Sequence, residues 1–204
     1  YDQIQGLGSY VDEQKGGKKQ DENFSWFLGV VHQMKRRYGR IHIAFGEPLS
    51  LREQLRVPPG EGHGSVSAQR FDLEKLAFEV SDRINRVTPI TPTSLVTLAL
   101  LGTTGQALTV PETRKSIANL LENVRMRGLP TTSDFHHLES DEGVRFTLDA
   151  LVENDVVTLF DEGLESVYVI REEQQLSAAY YRNTIVHFFV GPSIAELALL
   201  HASQ

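Results

Sequence analysis

The sequence predicts an α/β to α+β, mainly helical chain: the closing end of an α/β domain, followed by a helical region with a winged-helix-like segment of helices plus a hairpin. Three observations predict it. Apolar residues at Phe24, Phe27, Leu28, Val31, Met34 and Tyr38 recur at the spacing of one helix face. Ile41, Ile43 and Phe45 then alternate with His42 and Ala44 as a strand does, and Gly46 with Pro48 ends the run. Beyond Leu95, three short helical patterns precede two strand-like runs, the element order of a winged helix.

Each element has a local reason. Asp21, Glu22 and Asn23 lead the positive end of the first helix, Lys35, Arg36 and Arg37 crowd its negative end, and Gly39 stops it. After the strand, a short helix is expected near Ser50 to Leu55. Residues 57–67 hold two Pro and three Gly without periodicity and read as a boundary. The expected organisation is therefore 1–56 as the end of the α/β domain, 57–69 as linker, and 70–204 as the helical region with its hairpin near 156–170.

In that region, a helix with Phe71, Leu76, Val80 and Ile84 as buried candidates stops at a Thr88–Pro92 connector, because each Pro removes a donor and disfavours helix in the residue before it. Helices follow at Leu95–Leu101, Pro111–Arg127 and Asp141–Glu153, then strands near Val156–Phe160 and Ser166–Ile170. Thr109 and Glu112 form a capping-box pattern around Pro111. A helix over Gln174–Phe189, a break at Gly191-Pro192 and a last helix capped by Ser193 and Glu196 complete the expectation.

Composition excludes several functions. The 204 residues contain no Cys, so disulfides, a thiolate nucleophile and Cys-ligated zinc are impossible. The net charge of −7 is uneven: 9 Lys+Arg against 7 Asp+Glu in residues 1–56, and 11 against 20 in residues 57–204. The helix before the hairpin carries Asp141, Glu142, Asp149 and Glu153 against Arg145, and the hairpin loop carries Asp161, Glu162 and Glu165. Phosphate repulsion makes nucleic acid an unsuitable partner. The longest apolar run, Ser94–Leu101, is far short of the roughly 20 residues that span a bilayer, so membrane association is expected to be peripheral.

Four strings carry a resemblance: Tyr38-Gly39-Arg40-Ile41-His42-Ile43-Ala44-Phe45-Gly46-Glu47-Pro48-Leu49-Ser50-Leu51; Tyr1-Asp2-Gln3-Ile4; Arg83 through Pro92; and Tyr180 through Phe188. With them the chain resembles the C-terminal part of bacterial enzymes of the glycerol-3-phosphate/dihydroxyacetone-phosphate acyltransferase family. The resemblance implies transfer of a fatty acyl group from acyl-CoA or acyl-ACP to the sn-1 hydroxyl of glycerol 3-phosphate in phospholipid synthesis. It implies no cofactor beyond that thioester, and peripheral attachment at the cytoplasmic face of the bacterial inner membrane.

The family places a His-x-x-x-x-Asp pair, then a Gly-rich block and phosphate-binding basic residues, upstream of the Phe-Gly-Glu-Pro strand. No such block precedes Tyr38. The chain is therefore expected to be a fragment, inactive alone, with no catalytic residue and no metal ligand of its own. Its substrate-binding candidates are Gly46, Glu47 and Pro48 in the turn, which those enzymes keep at the edge of their α/β domain, and Arg37 and Arg40, which could meet an anionic headgroup. Against this, Gly46 and Pro48 are needed for the turn itself, and a helix end attracts cations for dipole reasons alone.

Three other constellations have bland readings. His136 and Asp141 reproduce the family's spacing on the wrong side of the strand; with 7 His in the chain, such a spacing arises by chance about one time in three. Glu61-Gly62-His63-Gly64-Ser65 could cradle an anion but lacks the ending of a P-loop, and reads as linker. Tyr180, Asn183 and His187 would share one face of a continuous helix, as a hydrogen-bonded seam. The alternative function, from a different class, is a non-catalytic acidic winged-helix-like module that binds another protein.

Overall fold

The structure, a computed structural model, describes residues 42–51, 66–103 and 105–203. The helix expected over residues 23–38, the candidates Arg37 and Arg40, and the Glu61–Ser65 loop lie outside them. In chain order the described elements are α1 (Val66–Val87), α2 (Pro92–Gly102), α3 (Val110–Met126), a 3-10 turn (Phe135–Glu139), α4 (Asp141–Glu153), β1 (Thr158–Phe160), β2 (Val167–Val169), a second 3-10 turn (Glu172–Gln174), α5 (Gln175–Asn183) and α6 (His187–Ala202).

Local chemistry sets the starts. Pro92 occupies the first turn of α2, where its missing donor costs nothing, so the helix begins ahead of the expected Leu95. Thr91 Oγ1 accepts from Ser94 N at 3.1 Å while Ser94 Oγ accepts from Thr91 N at 3.1 Å. The α3 capping box forms as the sequence predicts: Thr109 N donates to Glu112 Oε2 at 2.8 Å and Glu112 N to Thr109 Oγ1 at 3.4 Å. Ser140 Oγ caps α4 by accepting from Gly143 N at 3.1 Å.

β1 and β2 pair antiparallel, with Leu159 opposite Tyr168. Leu108 adds a bridge on the other side of β2, Leu108 N to Tyr168 O at 2.9 Å and Tyr168 N to Leu108 O at 2.8 Å. Tyr168 is thus held from both sides and buried, its hydroxyl donating to Asp149 on α4. Ile90, in the connector before α2, bridges Thr131 in parallel.

One core unites these elements. Its buried members run from Ile90 to Phe189, and Leu95, Ile117, Leu148, Tyr168 and Ile185 are fully enclosed. Among the described side chains, none of α1 belongs to it. Val80 and Ile84, expected to be buried, are 41% and 58% exposed, and Leu76 is half-buried. Among the described residues, α1 is met by residues 42–49 and by His187, whose ring nitrogen lies 3.0 Å from Asn85 O, and not by the enclosing layer that a core helix has.

Two further expectations are corrected. Residues 42–50 form no strand, because a strand exists through ladder partners and the described residues supply none. The helix expected over 174–189 is broken after Asn183, and the 172–183 and 187–202 segments meet at 96°. The β-branched run Thr184-Ile185-Val186 is a poor helix former, and fully buried Ile185 is drawn into the core there.

The break expected at Gly191-Pro192 is absent instead: α6 continues through Pro192, and Ser193 lies inside it rather than capping it. Pro192 cannot donate to the carbonyl four residues back, Phe188. Arg127, at the end of α3, supplies that donor through Nη1.

Candidate functional site

The Phe-Gly-Glu-Pro turn rests on the last turns of α1. Arg83 stands at the centre of the contact: its Nε meets Glu79 Oε1 at 2.7 Å, one helical turn back, and its Nη1 donates to the carbonyls of Glu47 at 3.2 Å and Pro48 at 3.1 Å. The i, i+4 pair with Glu79 fixes the guanidinium so that it can reach across. A cleft of about 450 Å³ opens between the two segments, with His42, Ile43, Glu47, Val80 and Ile84 among its walls.

This geometry redistributes the sequence candidates. Glu47 and Pro48 are exposed, and it is their backbone carbonyls that are engaged. A methyl group on Gly46 would meet Arg83 O and Val87 Cγ1 at 3.7 Å, ordinary contact distances, so the turn does not require glycine for space. Arg83 was not among the candidates. Its position inside the Arg83–Pro92 string was the only available signal, since its partners lie 35 and 36 residues away. Because Nε and Nη1 are both engaged by protein, Arg83 does not offer a free fork to a phosphate.

The other constellations separate. His136 Nδ1 lies 2.8 Å from Ser133 O, and Asp141 pairs with Arg114 Nε at 2.7 Å, so the two do not form a base and its orienting carboxylate. The break after Asn183 removes the expected seam of Tyr180, Asn183 and His187. Asn183 Oδ1 accepts from Arg182, and His187 Nε2 lies 3.0 Å from Asn85 O near the end of α1. That contact links α6 to α1.

A second groove of about 700 Å³ lies along α3, with Arg114, Lys115 and Arg125 on its walls. Two of these cations are matched by acids: Arg114 by Asp141, and Arg125 by Glu139 at 2.6 Å. Burial holds the Tyr181 hydroxyl above the usual tyrosine range, and burial with the Asp149 hydrogen bond does the same for Tyr168. Among the described residues no three His, Asp or Glu side chains are grouped to hold a metal ion.

The described residues form a helical body with an extended turn anchored on α1 by Arg83. The family described as glycerol-3-phosphate acyltransferase C-terminal region matches residues 10–204, and the chain belongs to it. A Mycobacterium tuberculosis (strain H37Rv) protein named "Putative acyltransferase plsB1" is 36% identical over 204 residues, which is 100% of this chain and 32% of that protein. Its Mycobacterium bovis counterpart matches equally. An Aeromonas hydrophila protein named "Glycerol-3-phosphate acyltransferase" is 29% identical over 200 residues, 95% of this chain and 24% of its own length. The chain thus spans about a third of the mycobacterial relatives and a quarter of the Aeromonas one.

Proposed function

We propose that this chain is the C-terminal portion of a glycerol-3-phosphate acyltransferase, which transfers a fatty acyl group from acyl-CoA or acyl-ACP to the sn-1 hydroxyl of glycerol 3-phosphate in phospholipid synthesis. The observation that carries it is the family match over residues 10–204, joined to matches over 100% and 95% of the chain with relatives about three and four times longer. The Phe45-Gly46-Glu47-Pro48 turn closes the parent's α/β domain, and α2 to α4 with the β1–β2 hairpin form a winged-helix-like unit, a reading supported by the element order.

In this reading the general base and the phosphate-binding cations lie in the part of the parent outside this chain. The side chains near the turn act by holding it. The parent works peripherally at the cytoplasmic face of the bacterial inner membrane; among the described residues no single helix is long and apolar enough to cross a bilayer. The acids of α4 and of the hairpin loop disfavour nucleic acid as a partner.

Acyl transfer from palmitoyl-CoA to glycerol 3-phosphate, followed by product analysis, tests the reading. The full-length parent is expected to form 1-acylglycerol 3-phosphate and the 204-residue chain to form none. Transfer by the chain alone would refute the division of labour, and an inactive parent would refute the assignment.

A further inference from the structure

We propose that the groove along α3 is a docking site for an acidic amphipathic helix of a partner protein, whose carboxylates meet Arg114, Lys115 and Arg125 and whose apolar stripe lies over Ala118 and Leu121. The inference goes beyond the acyltransferase reading above and does not rest on it.

The spacing of α3 makes the surface. Val110, Thr113, Ile117 and Val124 are buried and give the helix its core face. Arg114, Ala118, Leu121 and Arg125, separated by four, three and four residues, form one stripe along the flank of that face. At 1.5 Å of rise per residue, the arginines that end the stripe stand about 16 Å apart along the axis. Between them the wall is small and apolar, and Leu138 of the 3-10 turn lines the same groove, so the trough has cations at its ends and hydrocarbon in its middle. Its complement is a helix face with carboxylates three turns apart and apolar residues between them.

Charge decides the occupant. Lys115 makes no hydrogen bond or ion pair among the described residues. Arg114 uses Nε on Asp141 and has a long contact of 3.4 Å from Nη1 to Glu139 O, while Arg125 uses Nη2 on Glu139. Both partners of each pair are about half exposed or more, so these are weak surface pairs, and each guanidinium keeps N–H groups that an arriving carboxylate can share. Glu122, three residues from Arg125 on the same wall, makes the Arg114 and Lys115 end the stronger of the two. A single phosphate is a poorer fit, because the cations are spread over three turns and do not converge on one point. Nucleic acid is poorer still, since Glu122 and Glu139 line the groove.

Two measurements on the whole 204-residue chain and on the full-length parent test this without using activity. Acetylation of Lys115 by acetic anhydride, read by mass spectrometry and scaled to the urea-unfolded protein, reports whether the groove is open. A rate close to the unfolded one is expected in both proteins. Interface cores pack like interiors, so labelling about tenfold slower in either would mean that the protein's own residues fill the groove, and would overturn the proposal. The second measurement is calorimetric titration with a lactam-stapled, alanine-based helix carrying two Glu spaced as Arg114 and Arg125 are, with Leu between them. Wild type is expected to bind this probe, and Lys115→Glu/Arg125→Glu to bind it at least about tenfold more weakly; a probe with Lys in place of both Glu should show the reverse preference. Both substituted side chains are exposed, and Arg114, which also holds Asp141 at the start of α4, is left in place. Should the double variant fail to fold, wild type alone decides, through its preference for the Glu probe over the Lys probe and the weakening of that preference as salt rises. No binding by wild type, equal binding of the two probes, or equal binding by wild type and a folded double variant would each overturn the proposal.

Discussion

Residues 90–189 and the pair formed by residues 42–51 and α1 have similar fractions of apolar residues, yet among the described side chains it is the first that encloses them. In the body, Leu95, Ile117, Leu148 and Ile185 are wholly enclosed, and the buried polar residues Ser94, Thr97, Thr113 and Gln174 have partners. On α1, Leu73, Val80 and Ile84 are 56%, 41% and 58% exposed. Hydrophobic periodicity therefore reports that a face is suited to burial, and does not by itself say which element covers it.

The sharpest contrast is one substitution made in each region. Leu148→Ala removes a fully enclosed side chain and is expected to cost about 2–5 kcal/mol in urea unfolding. Leu73→Ala, at 56% exposure, is expected to stay within about 0.5 kcal/mol in the 204-residue chain. Equal losses would mean that α1 is packed into the body. Glycines repeat the comparison: a methyl on Gly143 would sit 2.0 Å from His137 O, a backbone atom that cannot yield without moving the α4 N-terminus, whereas Gly46 has room. Gly143→Ala should cost about 1–3 kcal/mol and Gly46→Ala should be near neutral, read from the same unfolding curves.

Arg127 tests how the body holds its last helix. Arg127→Ala leaves Phe188 O without a donor, since Pro192 has none to give, and a loss of about 1–2 kcal/mol is expected. Pro192→Ala restores an N–H facing that carbonyl. The double variant should therefore lose less than Arg127→Ala alone, and a double-mutant cycle showing strict additivity would reject the link.

What was legible divides along the same line. Pro111–Arg127 and Asp141–Glu153 were readable because caps, Pro placement and amphipathic spacing act within a few residues, and the structure has α3 at Val110–Met126 and α4 at Asp141–Glu153. The break after Asn183 was not, because it depends on Ile185 reaching a core assembled from distant helices. Nor was continuation through Pro192, which needs a guanidinium 61 residues from the Phe188 carbonyl that it serves. At the candidate site the turn was legible from Gly46 and Pro48, but its anchor was not. Arg83 reads locally as one half of an i, i+4 pair with Glu79, and only the fold brings the carbonyls of Glu47 and Pro48 to it.

The smallest expected effect concerns the capping box of α3. The Glu112 carboxylate accepts from Thr109 N and Thr109 Oγ1, both at 2.8 Å, and these bonds, the backbone one foremost, hold its pKa below the ordinary 4.5. Because the folded value is depressed, the contribution is fully present above the unfolded pKa and disappears as pH falls from 4.5 through the folded value. Thr109→Ala removes the hydroxyl that caps α3, at about 1 kcal/mol near neutral pH, and should weaken this acid dependence. Glu112→Gln keeps a side chain able to accept from Thr109 N but abolishes titration, so its stability should fall less steeply than wild type below that pH. The group is fully exposed, so solvent screens the effect and the two curves should separate only slightly. Superimposable acid limbs from chemical unfolding would show that the box contributes through geometry alone.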